Sequence, residues 1–188
     1  IRSLKELNSV PFEIINSSDN EGTPTFFDGG DFMIYTSCKM NFKKNSCDLF
    51  YSIKQDGKWF PPKEFDENIN SDYWDSQPFM YDSTLYFVSN RPGGKGGRDI
   101  YFSKLQKDGS WSLSENFISV NTQYDEVSPF VEDKVFYYSS NGVNSYGGYD
   151  IYVLDNLYSK KKSIKNLGAS INSFLDETSI FIHDSLIF

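Results

Sequence analysis

Ser89–Phe102 reads SNRPGGKGGRDIYF. Strand formers lead into it from Leu85, a glycine-rich tip follows, and an Asp then opens a second run, Ile100 to Leu105. Two β-prone runs joined through a glycine turn signal a hairpin. The stretch recurs. Ser139–Val153 reads SSNGVNSYGGYDIYV, and Thr36–Tyr51 reads TSCKMNFKKNSCDLFY, an altered copy without the glycines. The closing acids Asp48, Asp99 and Asp150 fall at intervals of 51 residues. Upstream, Glu21, Asp75, Glu126 and Glu177 are 54, 51 and 51 apart, and Ile15-Asn16, Ile69-Asn70, Val120-Asn121 and Ile171-Asn172 keep the same intervals. A fixed period of this size, filled with short strands, marks a β-propeller or a related array.

Each unit has the same internal order. A short apolar strand (Thr25-Phe26-Phe27, Pro78-Phe79-Met80, Pro129-Phe130-Val131, Ile180-Phe181-Ile182) precedes a polar turn and the strongest strand. The tip leads into a third strand, and Asp56-Gly57 or Asp108-Gly109 turns into a weak fourth. Four antiparallel strands in meander order make one blade. No apolar period of 3.6 residues persists, so almost no helix is expected. The reading is all-β: a propeller segment of three whole blades, approximately 21–70, 75–121 and 126–172, with part-blades at 1–16 and 173–188. The end pieces either pair into a fourth blade or belong to a longer ring. The shortness of the first piece favours the longer ring.

Composition narrows the partners. The 188 residues carry a net charge of −8, which argues against nucleic acid and against an anionic membrane surface. No apolar run is long enough for a spanning helix. Ile1-Arg2-Ser3-Leu4 lacks the basic and apolar regions of a signal peptide and an initiator Met, so residue 1 reads as a boundary. The two cysteines, Cys38 and Cys47, stand where the second unit has Asn90 and Arg98. Three readings of the pair are open: a disulfide closing the hairpin tip, two free thiols, or half a metal site. The last lacks ligands, since His183 is the only histidine. A bridge implies an oxidising compartment.

The repeat resembles a known family. The second unit carries nearly all of a pattern similar to the WD-like, TolB-type propeller repeats of bacterial envelope proteins, most nearly the propeller of Bacteroidetes OmpA-family proteins and of type IX secretion-like assemblies. The third unit departs from it at Ser159–Ser163, where the Asp-Gly-Trp turn is missing, and the first departs at the tip. The resemblance implies an extracytoplasmic protein, periplasmic or outer-membrane associated. It does not extend to peptidoglycan binding, because no OmpA-like domain is present in these residues.

Repeated side chains read as architecture. Asp48, Asp99 and Asp150 are expected to accept backbone hydrogen bonds from the tips. Glu21, Asp75, Glu126 and Glu177 are expected to tie neighbouring blades. The glycine tips precede strands, so they are not phosphate loops, and they are expected to need positive φ. Trp59 and Trp111, after Asp-Gly, read as packing residues. Unrepeated residues are the candidates for recognition: Tyr73 and Trp74 in an insertion at Ser71–Trp74, Arg91, Lys95 and Arg98 on one tip, and Tyr146 and Tyr149 on the next. No nucleophile elbow accompanies His183. The expected function is a non-catalytic envelope scaffold, not an enzyme, with no cofactor or metal, that binds a protein or glycan partner. The alternative is a propeller hydrolase acting on glycans, which needs two unrepeated acids facing one pocket.

Overall fold

A computed structural model describes residues 12–41, 44–183 and 186–187. Among the described residues every regular element is a strand except one three-residue turn, Asp28–Gly30, whose Gly29 lies at φ 66°. The strands are β1 (Asn20–Phe27), β2 (Phe32–Asn41), β3 (Lys44–Gln55), β4 (Lys58–Trp59), β5 (Lys63–Glu64), β6 (Asp75–Tyr81), β7 (Thr84–Ser89), β8 (Asp99–Lys104), β9 (Glu115–Asn116), β10 (Glu126–Glu132), β11 (Val135–Ser140), β12 (Asp150–Leu154), β13 (Ile164–Asn166), β14 (Ile182–His183) and β15 (Leu186–Ile187). They form antiparallel sheets ordered β1-β2-β3-β4, with β5 also on β3, then β6-β7-β8-β9, then β10-β11-β12-β13, and a pair β14-β15. Among the described residues no ladder joins one of these sheets to the next. Of the sequence-predicted end units, 1–11, 184–185 and 188 lie outside the described residues.

The cores lie between sheets. Ile34, Leu49, Phe65 and Ile69 of the first sheet meet Met80, Leu85, Phe87 and Tyr101 of the second. Tyr86, Val88, Ile100 and Val120 of the second meet Val127, Val131, Phe136, Tyr138 and Leu154 of the third. Strand alternation allows this, because successive side chains point to opposite faces and each sheet is covered on both. Phe87 and Phe136 are fully buried, each contributing about 1.5–3 kcal/mol by removal from water.

The repeated Asn residues hold the units together. Asn70 Oδ1 accepts Leu49 N at 2.8 Å and its Nδ2 donates to Leu49 O at 3.0 Å. Asn121 does the same to Ile100 and Asn172 to Ile151. The side-chain amide thus stands in for the neighbouring strand that the short fourth strand fails to supply.

Two features of the turns differ from the sequence reading. Among the tip glycines only Gly93 has positive φ. The others are needed for close approach: a Cβ on Gly96 would stand 1.7 Å from Tyr124 O, and one on Gly147 1.8 Å from Leu175 O. Nor does Ser71–Trp74 form an insertion. Ser71 bonds Asp75 as Thr122 bonds Glu126 and Ser173 bonds Glu177. The extra length lies earlier: Glu21 faces Ser37, whereas Asp75 faces Ser89 and Glu126 faces Ser140.

Cys38 and Cys47 are a facing pair on β2 and β3, joined by a disulfide with Cα atoms 3.9 Å apart. The bridge does not close the tip, since Lys39↔Ser46, Met40↔Asn45 and Asn41↔Lys44 continue the ladder beyond it. It fits an oxidising, extracytoplasmic environment. No helix among the described residues is long and apolar enough to cross a membrane. Reduction will lower stability by about 2–3 kcal/mol, the chain-entropy value for a loop of this size. Urea melts with and without reductant check this; superimposable melts would refute it.

Candidate functional site

The first strands of the three large sheets carry the same irregularity. In β1, β6 and β10 the register slips between Gly22 and Thr25, Ser76 and Phe79, and Val127 and Phe130. At each slip a non-glycine residue has positive φ: Thr23 at 49°, Gln77 at 53° and Ser128 at 53°. Each precedes a proline, Pro24, Pro78 or Pro129. A proline cannot donate to a ladder, so it suits a strand at a sheet edge or a bulge. Left-handed backbone at a non-glycine residue costs about 1–3 kcal/mol, and bulges re-aim side chains.

These bulges bring Thr23, Gln77 and Ser128 to the wall of one channel of about 570 Å³. Neighbouring side chains hold them. Thr23 Oγ1 and Thr36 Oγ1 are 2.8 Å apart, Gln77 N donates to Thr36 Oγ1 at 3.1 Å, and Ser128 N donates to Gln77 Oε1 at 2.8 Å. Aromatic rings continue the wall. Phe79 and Phe130 are 5.1 Å apart between centroids, and Phe130 and Phe181 are 5.7 Å apart. Phe26 and Phe181 are 54% and 55% exposed. Glu132, at the end of β10, is the one carboxylate in the described lining. It is unrepeated: Tyr81 and Phe27 hold its place, each facing across its own hairpin turn as Glu132 faces Val135. Polar edges and aromatic faces in one channel suit a ligand with hydroxyls at its rim and C–H groups on its faces.

The repeated acids are occupied elsewhere. Asp99 accepts Lys95 N and Gly96 N, and Asp150 accepts Tyr146 N, Gly147 N and Asn166 Nδ2. Asp48 is buried. Glu21, Asp75, Glu126 and Glu177 each grip the backbone N and hydroxyl of the Ser or Thr four residues earlier, which for Asp75, Glu126 and Glu177 pins the link from one sheet to the next. Burial, partly offset by the bonds from Thr122 and Ser140, raises the Glu126 pKa.

The residues singled out for recognition separate into two groups. Arg91 turns inward with 14% of its side chain exposed. It donates to Asp75 Oδ1 at 2.7 Å, Ile69 O, Ser114 Oγ and Ser89 Oγ, and lies over the Phe87 and Tyr101 rings. Lys95 Nζ caps Ile118 O at 2.8 Å and Asn121 O at 2.9 Å. Neither side chain is presented as a ligand contact, because backbone carbonyls and a buried carboxylate consume their donors. Arg98 packs over Trp74 at 5.1 Å, its N donates to Asp125 Oδ1, and Tyr149 donates to Asp125 Oδ2 at 2.9 Å. Tyr73 and Tyr146 remain exposed, and Tyr73 lines a surface pocket with Arg91. The channel residues Thr23, Gln77 and Ser128 were missed. Their signal was a polar residue before proline, repeated in a strand.

No protein-family model matches the chain. No curated protein matches it either. Solved structures do. An α-L-arabinofuranosidase (GH93) of Fusarium graminearum in complex with arabinobiose is similar at 11% identity and TM-score 0.46, over 72% of this chain and 45% of that one. The Fusarium graminearum α-L-arabinofuranosidase Arb93A, in complex with an iminosugar inhibitor, gives 12% identity and TM-score 0.44 over 72% and 45%. Prolyl oligopeptidase B of Galerina marginata gives 13% identity and TM-score 0.44 over 80% and 21%. The chain spans less than half the length of each. These neighbours are enzymes, so the expectation of a chain that is not an enzyme is withdrawn. At these TM-scores they assign it no reaction.

Proposed function

We propose that the three sheets are blades of a β-propeller whose axial channel takes a glycan, in a protein that hydrolyses it. The observation that carries this reading is the set of bulges at Thr23, Gln77 and Ser128. Three strained residues at one repeat position line one channel beside a ladder of Phe rings; backbone bonds from Gln77 and Ser128 tie sheet to sheet, and the three polar side chains stand on the channel wall. Sugar C–H faces stack on Phe79 and Phe181, sugar hydroxyls bond Thr23, Gln77 and Ser128, and Glu132 offers a proton to a glycosidic oxygen. Hydrolysis by paired carboxylates needs a second acid roughly 5–9.5 Å away. Within the described lining this segment supplies the substrate-holding wall and one acid of such a pair.

The setting we propose is the bacterial envelope, periplasmic or outer-membrane associated, in a WD-like, TolB-type propeller of an OmpA-family protein. The repeat motif and the Cys38–Cys47 bridge support it. The test is calorimetric titration with a panel of neutral oligosaccharides, followed by assay for new reducing ends. Phe79→Ala will weaken binding about tenfold, the loss of one stacking face. Glu132→Gln will leave binding and abolish turnover. If no oligosaccharide binds, or Phe79→Ala binds like the wild type, the glycan reading fails. If Glu132→Gln turns over unchanged, its role as acid fails.

A further inference from the structure

A second cleft, of about 610 Å³, opens where the first two sheets meet. Phe32, Tyr51, Phe65 and Trp111 wall it, and Asp28, Glu64 and Asp66 rim it. Phe32 and Tyr51 are stacked at 5.3 Å, and Phe65 meets Trp111 edge-on at 5.7 Å. No basic side chain is in the described lining. The whole chain carries −8. Aromatic faces beside carboxylates in an acidic protein attract organic cations.

The next junction shows what belongs in such a cleft. There Leu157 is buried against Tyr86 and Phe136, and the Tyr158 hydroxyl donates to Asp82 Oδ2 at 2.7 Å. That bond, then burial, pushes the Tyr158 pKa up to about 12. Leu157 N bonds Lys134 O in the turn between β10 and β11, just as Leu105 N bonds Ser83 O in the turn between β6 and β7. Gln106 therefore corresponds to Tyr158, and Asp28 corresponds to Asp82 in the turn after the first strand. Gln106 is instead used in a tight Gln106–Ser110 turn, and no side chain among the described residues bonds the Asp28 carboxylate. One junction is closed from within by a donor on an aromatic body; its counterpart keeps the acid and the aromatic walls but lacks the donor.

We infer that the cleft between the first two sheets receives an arginine side chain from a partner protein, its guanidinium against the aromatic wall and donating to Asp28. Arginine fits better than lysine, because a planar guanidinium stacks and pairs with a carboxylate at once. The site is separate from the channel and does not depend on a glycan there.

The experiment titrates the whole chain with acetyl-Ala-Arg-Ala-amide by calorimetry, with its citrulline counterpart and free arginine alongside. Asp28→Asn and Gln106→Tyr are compared with the wild type, the second because it supplies the missing phenol from within. Near-UV circular dichroism establishes that both variants fold. The expected result is saturable binding of the arginine peptide, at least about tenfold weaker for citrulline, Asp28→Asn and Gln106→Tyr, the effect of one charge-assisted hydrogen bond. No binding, or equal binding by the citrulline peptide or by either folded variant, overturns the inference. Free arginine binding as tightly as the peptide overturns its assignment to a protein partner.

Discussion

Arg91→Met will destabilise the protein by about 3–5 kcal/mol, the cost of breaking a buried ion pair from one side. Asp75 is wholly buried, and Arg91 is the cation that meets its Oδ1 at 2.7 Å. Methionine fills part of the space over Phe87 and Tyr101 but leaves the carboxylate charged and desolvated. It also strips the Ile69 carbonyl of its donor. In a domain of this size the midpoint of thermal unfolding should fall by roughly 10 °C. Adding Asp75→Asn to Arg91→Met should recover part of the loss, because the buried charge goes too, while Ser71 keeps an acceptor. Urea denaturation of the wild type, Arg91→Met and the double variant measures both effects. A loss below about 1 kcal/mol for Arg91→Met would mean that Arg91 is a surface residue after all.

Asn121→Leu will cost about 1–3 kcal/mol. The amide satisfies Ile100 N at 2.9 Å and Ile100 O at 2.7 Å, and Ile100 is fully buried. Leucine keeps the branched shape at Cγ but carries methyls in place of the amide, so the hydrogen bonds are removed. Ile100 O keeps Phe117 N as a donor, so Ile100 N is the buried group left unpaired, at about 1–3 kcal/mol. The measurement is again equilibrium unfolding, paired with hydrogen exchange at the Ile100 amide. If that amide stays as protected as in the wild type, the amide of Asn121 is not what closes the edge of β8.

The all-β reading was legible because it rests on local signals. Strand formers, Asp-Gly turns and a glycine tip recur at a fixed interval, and neither the sheet order nor the almost complete lack of helix needs long-range information. The length of the β2–β3 hairpin was not legible. The altered copy Thr36–Tyr51 lacked turn glycines, and only pairing shows that the ladder runs past Cys38 and Cys47. The glycines themselves were read as conformational, yet Gly96 and Gly147 are required by carbonyls of a linker that follows more than twenty residues later. Nothing near them in the chain announces that contact.

The candidate sites were still less visible. Charge on a loop suggests recognition, but Arg91 and Lys95 spend theirs on carbonyls and a carboxylate that folding brings to them. The polar residue before proline at Thr23, Gln77 and Ser128 is visible in the sequence, but the direction these side chains take is set by the bulges. By itself the sequence determined the repeat, its strand order and the residues spent on each unit, since period and turn chemistry are local properties. Tertiary structure decided which polar groups face a cavity and which are consumed within, because that depends on where successive sheets meet.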